Sequence, residues 1–146
     1  MPFGYPATVA EILRPGKKYR RGVLRLLRAF KCQHPWRGTV EHREELFRGL
    51  VEGLAQIYGI SMPRFKFHKV VAPAPPGTSG SSWYSPAMHE IGIERKASVV
   101  TTLHEFAHAL GKGERDAVIW SVNLFRRVFP RQYARLMAHG HMLMGR

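Results

Sequence analysis

The hydrophobic period of this chain changes from 3.6 residues to two and back again, which restricts it to a mixed fold. From Lys18 to Phe30 the apolar positions Val23, Leu24, Leu26, Leu27 and Phe30 form one stripe between arginines, the pattern of a basic amphipathic helix. Pro35-Trp36-Arg37-Gly38 breaks it. Thr39 can cap a second helix running to Tyr58, with Glu41, Glu44 and Glu45 early, where the helix dipole favours acids. Its stripe is Leu46, Leu50, Leu54 and Ile57, and Gly59 is placed to end it. The stretch from Arg64 to Val70 then alternates with period two, as a half-buried strand does. Residues 72–82 are too rich in Pro, Gly and Ser for regular structure. A second strand is expected from Trp83 or His89 to Glu94, with Ile91 and Ile93 on one face. Ser98 can cap a helix from Val99 to Leu110, closed by Gly111-Lys112-Gly113, and another runs from Glu114 to about Phe129, where Pro130 stops it. Residues 131–146 are expected to be helical in part. Ahead of Lys18, three prolines and two glycines leave room only for a short helical turn near Ala7–Leu13. The expected class is α+β.

The 146 residues suit one domain, and such a length can bury a core without disulfide staples. No apolar run approaches the roughly 18–20 residues that cross a bilayer, so no membrane insertion is expected. The basic cluster of the N-terminal segment follows its short apolar stretch, the reverse of a secretory signal, and the one cysteine, Cys32, fits a reducing cytoplasm. The net charge of +13 is unevenly spread. Residues 1–38 form a basic N-terminal segment with nine Lys/Arg against Glu11, residues 39–125 balance to zero, and residues 126–146 hold five arginines and no acid. Basic flanks of this kind attract nucleic acid or another polyanion, and the plainer role of such charge is solubility.

The chemistry is concentrated in Thr101-Thr102-Leu103-His104-Glu105-Phe106-Ala107-His108-Ala109-Leu110, which contains H-E-x-x-H. On a helix, His104 and His108 project one turn apart from the same face, where two imidazoles can share one tetrahedral metal ion. Glu105 lies one residue round the helix, able to take a proton from a metal-activated water without ligating the metal. Val100, Leu103, Ala107 and Leu110 form an apolar stripe behind them. With eight His and nine Glu, chance alone gives this motif in roughly 3% of chains of this composition. Catalytic zinc takes a third protein ligand. Beyond His108 the candidates are Glu114, Asp116, His139 and His141. Glu114 is favoured, because a sharp turn at Gly111 can swing its carboxylate back; Asp116 is the rival, lying opposite His108 in a helical hairpin centred on Lys112.

With His89-Glu90-Ile91-Gly92-Ile93 before the motif and Glu114-Arg115-Asp116-Ala117 after it, residues 83–125 resemble the zincin superfamily of HExxH metallopeptidases. They look most like its small members, the minimal gluzincins and the ImmA/IrrE-like and SprT-like domains. The resemblance implies a zincin-like domain over residues 39–146, a small sheet packed on the active-site helix, with N-terminal helices and a C-terminal helical segment. It implies Zn2+ on His104, His108 and Glu114, the last in the E-x-x-A setting of the family's third ligand. It also implies Glu105 as general base, a protein or peptide substrate, and edge pairing of that substrate with strand His89–Glu94. The spacing H-E-x-x-H-x-x-G-x-x-E is also similar to the metzincin arrangement with Glu for the last His, though no methionine turn follows.

Other residues carry weaker expectations. Tyr133, His139 or His141 could stabilise an oxyanion, Trp83 and Tyr84 could wall a cleft, and Cys32 or His34 could cap the metal in a latent form; for each, packing or surface placement is the plainer role. The expected function is a zinc-dependent metalloendopeptidase. The alternative is a nucleic-acid-associated basic protein with a structural or residual zinc site.

Overall fold

A computed structural model describes residues 9–12, 17–68, 82–96 and 99–138. Among these the chain order is α1 (Val9–Ile12), α2 (Val23–Cys32), α3 (Val40–Tyr58), β1 (Arg64–His68), β2 (Trp83–Ser85), β3 (Glu90–Glu94), α4 (Val99–Ala109), α5 (Glu114–Val128) and α6 (Pro130–Ala138). The class is α+β, as the change of period predicts. The expected cap at Ser98, residues 72–81 and the tail beyond 138 lie outside the described residues.

Local chemistry sets the boundaries. Gly22 adopts φ +96°, so the amphipathic stripe becomes helical only from Val23, later than its first basic residue suggests. Thr39 caps α3 by accepting the His42 amide at 3.1 Å, and left-handed Gly59 closes it. Pro130 stops α5 and also begins α6, because its fixed φ and missing N–H suit a first helical position.

The sheet order is β1-β3-β2, with β1 parallel and β2 antiparallel to β3. The outer edge of β1 is closed by α3. The Phe67 amide donates to the Glu44 carboxylate, and Arg48 donates to the Phe65 carbonyl at 3.1 Å. A Cβ on Gly92 of β3 would sit 2.4 Å from the Trp83 ring, so glycine is what lets that indole lie across the sheet.

One core joins the elements. Leu103, Phe106 and Ala107 of α4 are buried with Ala117, Leu124 and Phe125 of α5. The basic N-terminal flank shares that core through Val23, Leu27 and Phe30 of α2. It is tied to α5 by the Tyr19 hydroxyl, 2.8 Å from the Trp120 carbonyl, and by Lys31, which donates to the Val128 carbonyl at 2.9 Å. Among the described residues no helix is long and apolar enough to cross a membrane.

Candidate metal centre

The C-terminal end of α4 determines where its chemistry points. Gly111 takes φ +88°; the Gly111 amide donates to the His108 carbonyl at 2.9 Å and the Lys112 amide to the Ala107 carbonyl at 3.1 Å. That pair of bonds is a Schellman motif, which reverses the chain and satisfies the last carbonyls of the helix. Two consequences follow. The Lys112 carbonyl is brought to 2.9 Å from His108 Nδ1. After Gly113, α5 begins at once with Glu114, so its carboxylate faces back towards the end of α4.

His104 Nε2, His108 Nε2 and a Glu114 carboxylate oxygen therefore converge. The two nitrogens are 3.2 Å apart, and Glu114 Oε1 lies 2.6 Å from His104 and 3.2 Å from His108. His104, His108 and Glu114 are the group among the described residues that can hold a metal ion. A carbonyl oxygen can only accept, so His108 Nδ1 carries its hydrogen towards Lys112, and in the neutral ring Nε2 presents a lone pair. Three ligand atoms facing one another at these distances need a cation or shared protons between them. The 3.2 Å edge also suits the roughly 3.3 Å ligand separation of a tetrahedral ion with bonds near 2.0–2.1 Å. The donor set fits. The two histidines differ behind the site, for His104 Nδ1 is buried and has no hydrogen-bond partner among the described residues.

Glu105 is only 8% exposed and accepts a hydrogen bond from the Tyr84 backbone, which fixes it against β2. Burial pushes its carboxyl up to about 7, opposed by the two histidines and assisted by Glu114. The imidazoles of His104 and His108 hold Glu114 well below the usual carboxylate range, and hydrogen bonding to Glu114 pushes His108 up. These groups floor a cleft of about 380 Å³, walled on one side by Ser82, Trp83 and Tyr84 and on the other by Gly111 and Lys112.

Several sequence expectations are placed differently. His89–Glu94 was expected to offer a pairing edge, but β3 is the central strand with both sides paired, and the strand beside the cleft is β2. That expectation rests on the resemblance alone, and the strand's period-two alternation reports which face is buried and nothing about pairing order. Asp116 stands outside the metal group, exposed and 3.7 Å from Arg115, because it is two residues further round α5. Cys32, His34 and Tyr133 do not line the cleft. Cys32 is exposed, the His34 ring meets Trp36, and Arg126 lies over the Tyr133 ring. His139 and His141 lie outside the described residues. Trp83 is both core and cleft wall, stacked on His68. Lys112 escaped sequence reasoning, since it acts through a backbone carbonyl that every residue type possesses.

Compared with family models, with curated proteins and with solved structures, the chain matches none.

Proposed function

We propose that the chain is a zinc-dependent metallopeptidase. The observation that carries this reading is the buried Glu105 carboxylate beside an open three-ligand group. A metal site with a purely structural role needs no base, whereas hydrolysis needs one within reach of the attacking water. Zinc on His104, His108 and Glu114 would supply a water of lowered pKa and a Lewis acid for the scissile carbonyl.

The remaining steps belong to the chain's own residues. His108 is held in its ligating tautomer by the Lys112 carbonyl. Glu105 takes the proton of the attacking water on its carboxylate and hands it to the departing amine. A carboxylate can both accept and return that proton near neutral pH. The walls from Ser82 to Tyr84 limit water around that carboxylate, and β2, an edge strand among the described residues, is the strand beside the cleft that an extended peptide could pair with.

Cleavage of an unfolded protein substrate by zinc-loaded full-length protein, with the Glu105→Gln variant alongside, tests the reading. Glu105→Gln should keep its zinc and its fold and lose cleavage by about 10²-fold or more. Zinc-loaded wild-type protein that cleaves nothing would overturn the enzyme reading.

A further inference from the structure

A second cavity, of about 660 Å³, opens at the other end of α4, where Val99 starts the helix, and shares no residue with the metal cleft. It is where the two basic flanks of the sequence meet. The loop after α2 contributes Trp36 and Arg37, α6 contributes Arg131 and Arg135, and Arg43 of α3 completes the set. Among the described residues no acidic side chain lines the cavity, and none of these four arginines makes an ion pair. Arg43 donates to the carbonyls of Pro35 and Arg95, each at 3.0 Å, and lies over the Phe47 and Phe67 rings, contacts that fix the guanidinium without pairing it with an acid.

Behind the arginines is one exposed indole, Trp36, backed by the buried rings of Phe129 and Phe125. Phe129 stacks on Phe125 with centroids 5.2 Å apart, and Trp36 meets Phe129 edge-on at 6.5 Å. Trp36 also meets the His34 ring edge-on, yet it is 44% exposed, so part of the indole is open to a planar ligand. Gln132, also in the wall, has a buried Oε1 with no hydrogen-bond partner among the described residues, an acceptor ready for a ligand N–H. The exposed indole selects a flat ligand, the four guanidiniums select a phosphate over a single carboxylate, and the volume exceeds what inorganic phosphate fills.

We propose that this cavity binds a nucleoside phosphate, with its base against the exposed Trp36 indole and its phosphate among Arg37, Arg131 and Arg135. A free nucleotide and one unit of a single-stranded nucleic acid present that same chemistry. The proposal does not rest on the metal centre.

Trp36 is also the reporter, because Trp83 and Trp120 are buried. The experiment titrates full-length protein with adenosine monophosphate and, separately, with a fluorescein-labelled oligothymidylate, following tryptophan quenching and fluorescein anisotropy over a range of salt. Expected is saturable quenching, lost in Trp36→Phe, and at least tenfold weaker binding in Arg131→Glu/Arg135→Glu. The control Arg25→Glu/Arg28→Glu makes the same charge change on exposed α2 positions outside the cavity and should weaken binding less than threefold. Similar affinity for the two ligands identifies a free-nucleotide site. Much tighter oligonucleotide binding, with a log–log salt slope near −0.7 per phosphate contact, identifies a single-strand site. Equal weakening by the two charge reversals, equal competition by inorganic phosphate, stronger quenching by octanoate, or no quenching at low salt would each overturn the proposal.

Discussion

The Lys112 carbonyl oxygen lies 2.9 Å from His108 Nδ1, and this contact couples the end of a helix to the orientation of a candidate metal ligand. The same reversal that puts Lys112 behind His108 puts Glu114 in front of it. One turn thus supplies both the partner behind His108 and the third member of the group that can hold a metal ion.

Gly111→Ala should therefore be costly although space is available, for nothing lies within 4 Å of the added Cβ. The cost is conformational, about 1–2 kcal/mol for a left-handed residue with a side chain. Gly113→Ala, at φ −72°, strains no backbone and should cost less, about 0.5 kcal/mol, because Ala is a poorer N-cap than Gly. Thermal melts should separate the two, and metal titrations should show weaker uptake for Gly111→Ala alone. Equal effects would mean that the reversal is not what organises the site.

Metal affinity should rank the acids. Glu114→Ala removes a converging oxygen and should weaken zinc binding by more than about 100-fold, beyond the range typical of outer-shell partners. Asp116→Ala removes an exposed carboxylate paired with Arg115 and should change affinity less than threefold. Competition with a chromogenic chelator reads both values, and the reverse order would move the third-ligand role to Asp116.

The elements were legible in the sequence where periodicity and capping agree, as in Thr39-capped α3 and in β1 with Phe65 and Phe67 alternating against Arg64 and Lys66. The candidate site was legible because H-E-x-x-H at helical spacing leaves little freedom in where two imidazoles point. Strand order was not, because alternation in β3 is the same whether the strand is central or at an edge. The nucleotide-sized cavity was hidden for a different reason. Trp36 and Arg131 are distant in the chain, and only the packing of α2 and α6 against α5 unites them.

The metal-free protein should lose stability as pH rises from about 5 to 8. Glu105, raised to about 7 from an ordinary 4.5, binds a proton in the folded state that the unfolded chain gives up between those values. His108, also raised, contributes stability that is complete below its ordinary value of 6.5 and lost as pH climbs through its folded value. Glu114, depressed, acts in the opposite sense, but its contribution is lost only in strong acid. Melts in the presence of a chelator should show the decline, and Glu105→Gln should flatten most of it. Bound metal should reverse the slope, since the ligands must be deprotonated to hold it. A rising melting temperature over this range without metal would contradict the assignment.

Removing residues 1–38 should unfold the protein, not uncover its cleft. Val23 and Leu27 are fully buried and Phe30 nearly so, each worth about 1.5–3 kcal/mol against water. The truncation also strips the Tyr19 hydroxyl from Trp120 and Asn123, and the Ile12 carbonyl from the Asn123 side chain 2.7 Å away. Asn123 is buried, so its amide would lose partners where water can replace them only by opening the core. Together these losses approach the roughly 5–15 kcal/mol that holds an ordinary domain folded. The point variant Leu27→Ala isolates the packing part and should cost about 2–5 kcal/mol with its metal ligands untouched. Circular dichroism and proteolysis should show a cooperative but less stable Leu27→Ala protein and no cooperative transition for the truncated chain. A truncated chain that folds and binds zinc like the full protein would show that α2 is an appendage and not a wall of the core.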